Sequence, residues 1–266
     1  MFIKVKPCCI FLKKELFEAA KTFKMLIMGI VFVIFGMLSP LTAKMMPQIM
    51  QWALESDPSS AGMINATAIP EPVALDSWAQ FISNITQMGM IVLVIVFSGM
   101  LSSELSKGTL TMILTKGISR ADILLSKLTS AAIIWTGSLS VSFLTCLGYT
   151  AYFFEESLPN LLSAAFCLWL SGMFLLALTA LFAALTKKGY ICMILVGASS
   201  VVLQMLNMIP KVSRYNPATL SSFSLAHGVI TGETAAADFY PTLIVSGAFT
   251  LIITAAAVIV FNKRKL

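Results

Sequence analysis

Long apolar runs separated by short polar breaks occupy most of the chain, and six of the runs are as long as a bilayer crossing. They fall at about 25–41, 81–101, 128–154, 161–185, 190–209 and 241–261. Roughly 17 to 25 apolar residues in a helix span a hydrocarbon core about 30 Å thick. Lipid offers no water to unpaired backbone groups, and barrel strands would show shorter alternating segments. The pattern therefore predicts an all-α, polytopic membrane protein: a single domain, 1–266, of six transmembrane helices.

Three of the polar breaks carry their own signals. In residues 1–24, Leu12, Leu16, Ala19 and Phe23 share a narrow sector of a helical wheel, with Lys14, Glu18 and Lys21 opposite. This predicts an N-terminal amphipathic helix lying on the interface, with Lys14 and Glu18 as an i,i+4 ion pair. The first span is expected to kink or stop at Ser39-Pro40, with Pro47 following, because proline removes a helical hydrogen bond. The segment beyond Pro47, up to Trp78, reads as mostly irregular or short helix. Residues 210–240 are rich in small and hydroxyl side chains, too polar to cross yet apolar enough to form an outer re-entrant or capping hairpin. Four-residue spacings of small residues, Ser138-Ser142-Cys146 and Ser246-Thr250-Thr254, offer close helix packing.

Charge adds orientation. The chain is 58% hydrophobic and 11% charged, with mean hydropathy +0.90. With the N-terminus inside, 15 of the 18 basic residues and four acids face inward, a net +11. Three bases and eight acids face outward, a net −5, giving the overall +6. The positive-inside rule then places both termini in the cytoplasm, and a bacterial plasma (inner) membrane is the expected location. The net charge follows from topology and anionic lipid, so membrane lipid and not nucleic acid is the expected partner. The cysteines suggest no disulfide framework: Cys146, Cys167 and Cys192 lie within spans, and Cys8 and Cys9 on the reducing side.

The cytoplasmic hairpin, 102–127, is the most informative break. Gly108 permits a backbone reversal, Thr109 can cap a short helix containing Leu110, Met112, Ile113 and Leu114, and Gly117 ends it. Ser119-Arg120-Ala121-Asp122 then opens the third span with a hydroxyl cap and a first-turn acid. In Glu104-xxx-Gly108-Thr109-Leu110, followed by Ser119-Arg120 and Lys127, the chain resembles the membrane permeases of type-2 ABC transporters, near the sodium-exporter and nitrous-oxide-accessory permeases. Ser39-Pro40-Leu41 and Pro70-x-Pro72-x-Ala74-x-Asp76-Ser77 extend the resemblance over nearly the full length.

The resemblance implies that Gly108 to Leu114 is a cytoplasmic coupling helix seated on an ABC ATP-binding subunit. Leu12, Leu16 and Phe23 would flank the same subunit. No G-x-x-x-x-G-K-[ST] run is present, so ATP and Mg would be bound by a separate polypeptide, with no cofactor on this chain. A second permease, identical or not, would complete the path, and export is the expected direction. Glu104 and Arg120 stand at the two roots of the hairpin and could pair across it.

A substrate surface is suggested by Asn84 and Gln87, on one face of the second span with Gln80, and by Gln204 and Asn207 on the fifth, flanked by Met205 and Met208. Intramembrane amides usually face protein or water, and the resemblance puts the second and fifth helices along the path. Interhelical hydrogen bonding serves as an equally good account of these amides. Catalytic patterns are incomplete. Val96-Phe97-Ser98-Gly99 lacks the first glycine of a rhomboid nucleophile motif, and Glu155-Glu156 has Asn160 where a glutamate metalloprotease signature needs arginine. One histidine, His227, and no paired cysteine ligands argue against a metal site. The remaining alternatives are an ion-gradient-driven secondary transporter, which would normally bury a charge near the centre of a span, and a membrane assembly or accessory protein.

Overall fold

A computed structural model describes residues 7–56, 71–101, 119–156, 158–186, 188–232 and 236–264. Among the described residues the secondary structure is entirely helical. Six helices are long and apolar enough to cross a membrane: Lys24–Trp52, Ala74–Ser98, Arg120–Phe153, Leu161–Leu185, Gly189–Leu206 and Tyr240–Lys263. We label α1 Pro7–Lys21, α2 Lys24–Ser56, α3 Ala74–Ser98, α4 Arg120–Phe153, α5 Leu161–Leu185, α6 Gly189–Leu206, α7 Pro210–Ser213, α8 Phe223–Thr231 and α9 Ala236–Lys263.

The central helix is α5, with 61% of its most apolar window buried, against 11% for α6 and α9. Its composition explains the position. Ala177, Ala180, Ala183 and Ala184 let neighbours approach, while Leu168, Leu176 and Phe174 fill the space between them. α9 packs along α5, and α2 packs along α4. The second contact is closest at Gly36, where an added Cβ would lie 2.6 Å from the Ser142 carbonyl oxygen. The Ser142 hydroxyl donates to the Phe32 carbonyl at 2.6 Å. Ser138, Ser142 and Cys146 are all buried, as a packing face requires. On α9 the Ser246, Thr250 and Thr254 hydroxyls turn back to carbonyls of their own helix.

Of the two outcomes expected at Ser39-Pro40, a kink or a stop, the helix does not stop: α2 runs through Pro40 and Pro47 to Ser56. Hydroxyls near the first proline take up carbonyls around it. Ser39 donates to Phe35 O, and Thr42 to Leu38 O and Ser39 O. Proline is tolerated within membrane helices, although the carbonyl that Pro40 leaves without its helical donor is Gly36 O and these hydroxyls bond other carbonyls. α3 likewise starts seven residues before the apolar run, at Ala74, with the Asp76 carboxylate accepting from Val73 N at 3.0 Å. It contains one π-helical turn, Ile85–Gly89.

Residues 210–232 form three short helical pieces, α7, a 3-10 turn at Pro217–Ser221, and α8. They fold back on the bundle, burying Pro217, Leu220, Ala226 and Ile230. The hairpin residues Glu104, Gly108, Thr109, Leu110, Ile113 and Leu114 lie outside the described residues.

Candidate functional site

Charged groups hold the start of α4 at one end of the bundle, the end that also gathers α1 and the end of α9. On α1 the buried stripe is Phe11, Glu15 and Ala19, with Leu12 and Leu16 partly buried beside it. The acid belongs there because Lys127, seven residues into α4, reaches it. Lys127 Nζ donates to Glu15 Oε2 at 2.9 Å, with side chains only 4% and 10% exposed. Lys14 pairs with Glu18 at 3.2 Å, as the i,i+4 spacing suggests, and with Glu15 at 3.2 Å. Burial acts to raise the Glu18 pKa, but Lys14, with Lys127 and Lys24 behind it, carries it below the ordinary 4.5. A cavity of about 30 Å³ beside the pair, bounded by Lys24, Met100 and Ser130, has room for one water.

Phe23 does not join this stripe. α1 ends at Lys21, and Phe23 occupies the turn into α2 with φ 58° and 62% of its surface exposed.

At the root of α4 the Ser119 hydroxyl caps the helix, accepting from Asp122 N at 3.1 Å and donating to Asp122 Oδ2 at 2.7 Å. Arg120, the first residue of α4, reaches α9. Its Nη1 donates to the Asn262 carbonyl at 3.3 Å and to the Arg264 carbonyl, at the end of α9. Arg264 in turn donates from Nη1 to Ala184 O at 2.7 Å, Thr186 O at 3.0 Å and Ala183 O at 3.4 Å. Ala183 O and Ala184 O are carbonyls that the last turn of α5 leaves open, and Thr186 O belongs to its extended C-cap. Burial lowers the Arg264 pKa from its ordinary value. Two arginines thus close the C-terminal ends of α9 and α5 in sequence, a favourable place for positive charge.

A second feature is a cavity of about 800 Å³ between α3, α5, α6 and the 3-10 turn. This lies in the range of small-molecule pockets, roughly 300–1,000 Å³. Of the four amides singled out in sequence, Gln204 lines it. Asn84 instead donates to Ser39 Oγ on α2 at 3.0 Å, and Gln87 to Ser83 Oγ on its own helix at 2.9 Å. Asn207 holds the folded-back segment, its Oδ1 accepting from Asn216 Nδ2 at 2.6 Å and Thr219 Oγ1 at 2.9 Å. Both flanking methionines, Met205 and Met208, line the cavity with Gln204.

Two groups escaped the sequence reading. Glu15 counts as an ordinary polar residue until its partner, distant in sequence, is seen. Thr86 lines the cavity from the π turn, and its hydroxyl is buried without a hydrogen-bond partner. A lysine at the very edge of the third apolar run, and a Phe11-Glu15-Ala19 stripe at four-residue spacing, were the available signals for the first. Nothing in the sequence marked the second.

Among the described residues, no three His, Cys, Asp or Glu side chains stand together in a way that could hold a metal ion. No protein-family model matches this chain, and no curated protein matches it in sequence.

Proposed function

We propose that this chain is the membrane-spanning permease of an exporter driven by a separate ABC ATP-binding subunit. In this reading both termini and the 102–127 hairpin face the cytoplasm of a bacterium, and α1 is an amphipathic helix at the inner interface. Gly108 to Leu114 docks on the ATPase, a second permease completes the assembly, and the substrate path lies along α3 and α6. ATP and Mg belong to the partner.

The observation that carries the reading is the Glu15–Lys127 pair together with the Arg120 contacts. A push on the hairpin meets α4 at its root. Lys127 passes displacement to α1, and Arg120 passes it to the end of α9. Buried charge pairs resist separation because either partner alone would be left uncompensated in a low-dielectric site.

Purification from native membranes tests the proposal. An ATP-hydrolysing subunit should accompany the wild-type chain, and Leu110→Asp or Leu114→Asp should release it while the permease stays in the membrane. Retention of the ATPase and of ATP-driven transport by both variants would overturn the coupling assignment. Transport by the isolated chain without nucleotide would favour the gradient-driven alternative.

A further inference from the structure

The cavity between α3, α5 and α6 is not only space. Its lining on α6 runs from Met193 to Met205, about 18 Å at the helical rise. None of the lining residues is charged. Ile91, Ile95, Val201 and Met205 line it and are also exposed, so it opens among uncovered apolar side chains of α3 and α6.

The polar groups in the wall divide sharply. Ser171, Ser200 and Ser221 each donate to a carbonyl of their own segment. Thr86 does not, although Thr42, Thr136, Thr145, Thr179 and Thr254 all donate to the carbonyl four residues back. The π turn displaces the regular carbonyl ladder at Thr86, and π turns recur at functional sites. Gln204 is exposed at the opposite end of the lining, and its side-chain amide makes no hydrogen bond among the described residues.

We propose that this cavity binds an uncharged amphiphile drawn from the bilayer, an apolar chain bearing hydroxyl or ester oxygens. Rotation of Thr86 about χ1 presents its hydroxyl to a ligand oxygen within the cavity, and the Gln204 amide receives a second oxygen at the end of α6. The uncharged wall discriminates against phosphate-bearing lipids, because a charge placed there would lose hydration without a counter-ion. The assignment names a ligand class for the α3–α6 path, and its meaning for transport rests on the permease reading; binding itself does not.

Gly197 gives direct access to the question. It lines the cavity, and a Cβ built on it meets nothing within 4 Å, so the Gly197→Phe side chain starts in open space at the cavity wall. The full chain in phosphatidylcholine nanodiscs is exposed to a photoreactive diacylglycerol and, separately, to the phosphatidic acid with the same acyl chains. The diacylglycerol should label α3 and α6 peptides, and phosphatidic acid should label them far less. Gly197→Phe should abolish labelling. Thr86→Val should reduce it roughly fivefold, the loss of one neutral hydrogen bond, and Thr86→Ser should restore it. Equal labelling by phosphatidic acid, or labelling indifferent to Gly197→Phe in a chain that elutes as wild type, would overturn the proposal. Should Gly197→Phe fail to fold, equal labelling of the Thr86→Val and Thr86→Ser chains would do the same. A water-borne photoreactive decanol that labels the cavity better than the membrane-borne probe would overturn uptake from the bilayer. The ATPase-release experiment leaves the cavity untouched, so either proposal can fail alone.

Discussion

Lys127 and Glu15 form a contact whose value lies in what happens when half of it is removed. The pair itself contributes little net stability, since desolvating two charges offsets their attraction, whereas one buried charge left alone costs about 3–5 kcal/mol. Lys127→Met should therefore lower the thermal midpoint strongly and expose α1 to protease. Glu15→Leu added to Lys127→Met should recover most of the loss, and a double-mutant cycle by thermal unfolding measures the coupling. Glu18 gives a pH signature at the same end. Its pKa is lower folded than unfolded, so its contribution is full above the unfolded value and lost as pH falls through the folded one. Hydrogen exchange in α1 should rise on acidification below pH 4.5, and Glu18→Gln should flatten that dependence. A third residue fixes the centre. A Cβ on Gly172 would sit 2.2 Å from the Trp135 ring, while Trp135 Nε1 donates to the Trp169 carbonyl at 3.1 Å. Gly172→Ala forces that indole to move and should cost about 1–3 kcal/mol in the same melting assay.

At the scale of elements, the apolar runs were enough to locate six helices but not to end them. The α5 limits coincide with the run, because a left-handed Asn160 and an extended Thr186 bound it. α2 and α3 extend past theirs because polar and proline residues can remain helical. Proline at position 40 reads as a terminator by the rule for soluble helices, but a helix within a span can continue through it, as α2 does. The packing faces were legible, since small residues at four-residue spacing have few other uses in a span. The ends of α5 and α9 were not. Their caps come from Arg120 and Arg264, which approach only after the bundle closes. Replacing Arg264 with alanine removes all three donations to 183–186 and should cost about 1.5–3 kcal/mol for a charged donor. Hydrogen exchange at the last turn of α5 should accelerate while its middle stays protected. Arg120→Gln should loosen the end of α9 instead, leaving α5 less affected.

For the whole molecule, the side-chain contacts define two opposite ends without reference to any membrane. Glu15–Lys127, Arg120–Asn262 and Arg264–Thr186 join one end. Lys44 over the Phe153 ring at 4.6 Å, Ser77 with Thr150 at 2.7 Å, and Thr242 donating to the Arg214 carbonyl at 2.8 Å gather at the other. The 25 residues of α5 separate these ends by about 37 Å at the helical rise, enough to cross a hydrocarbon core. Single cysteines at exposed positions 188 and 263 should therefore share one accessibility, and those at 156 and 211 the opposite one. With Cys8 and Cys9 changed to serine, a membrane-impermeant maleimide applied to intact cells should label Glu156→Cys and Lys211→Cys. Lys188→Cys and Lys263→Cys should react only after the membrane is opened. Labelling that splits either pair would contradict the bundle itself. Labelling with the two sides exchanged would keep the bundle and reverse the orientation argued from the basic residues, placing the hairpin where no cytoplasmic ATPase could reach it.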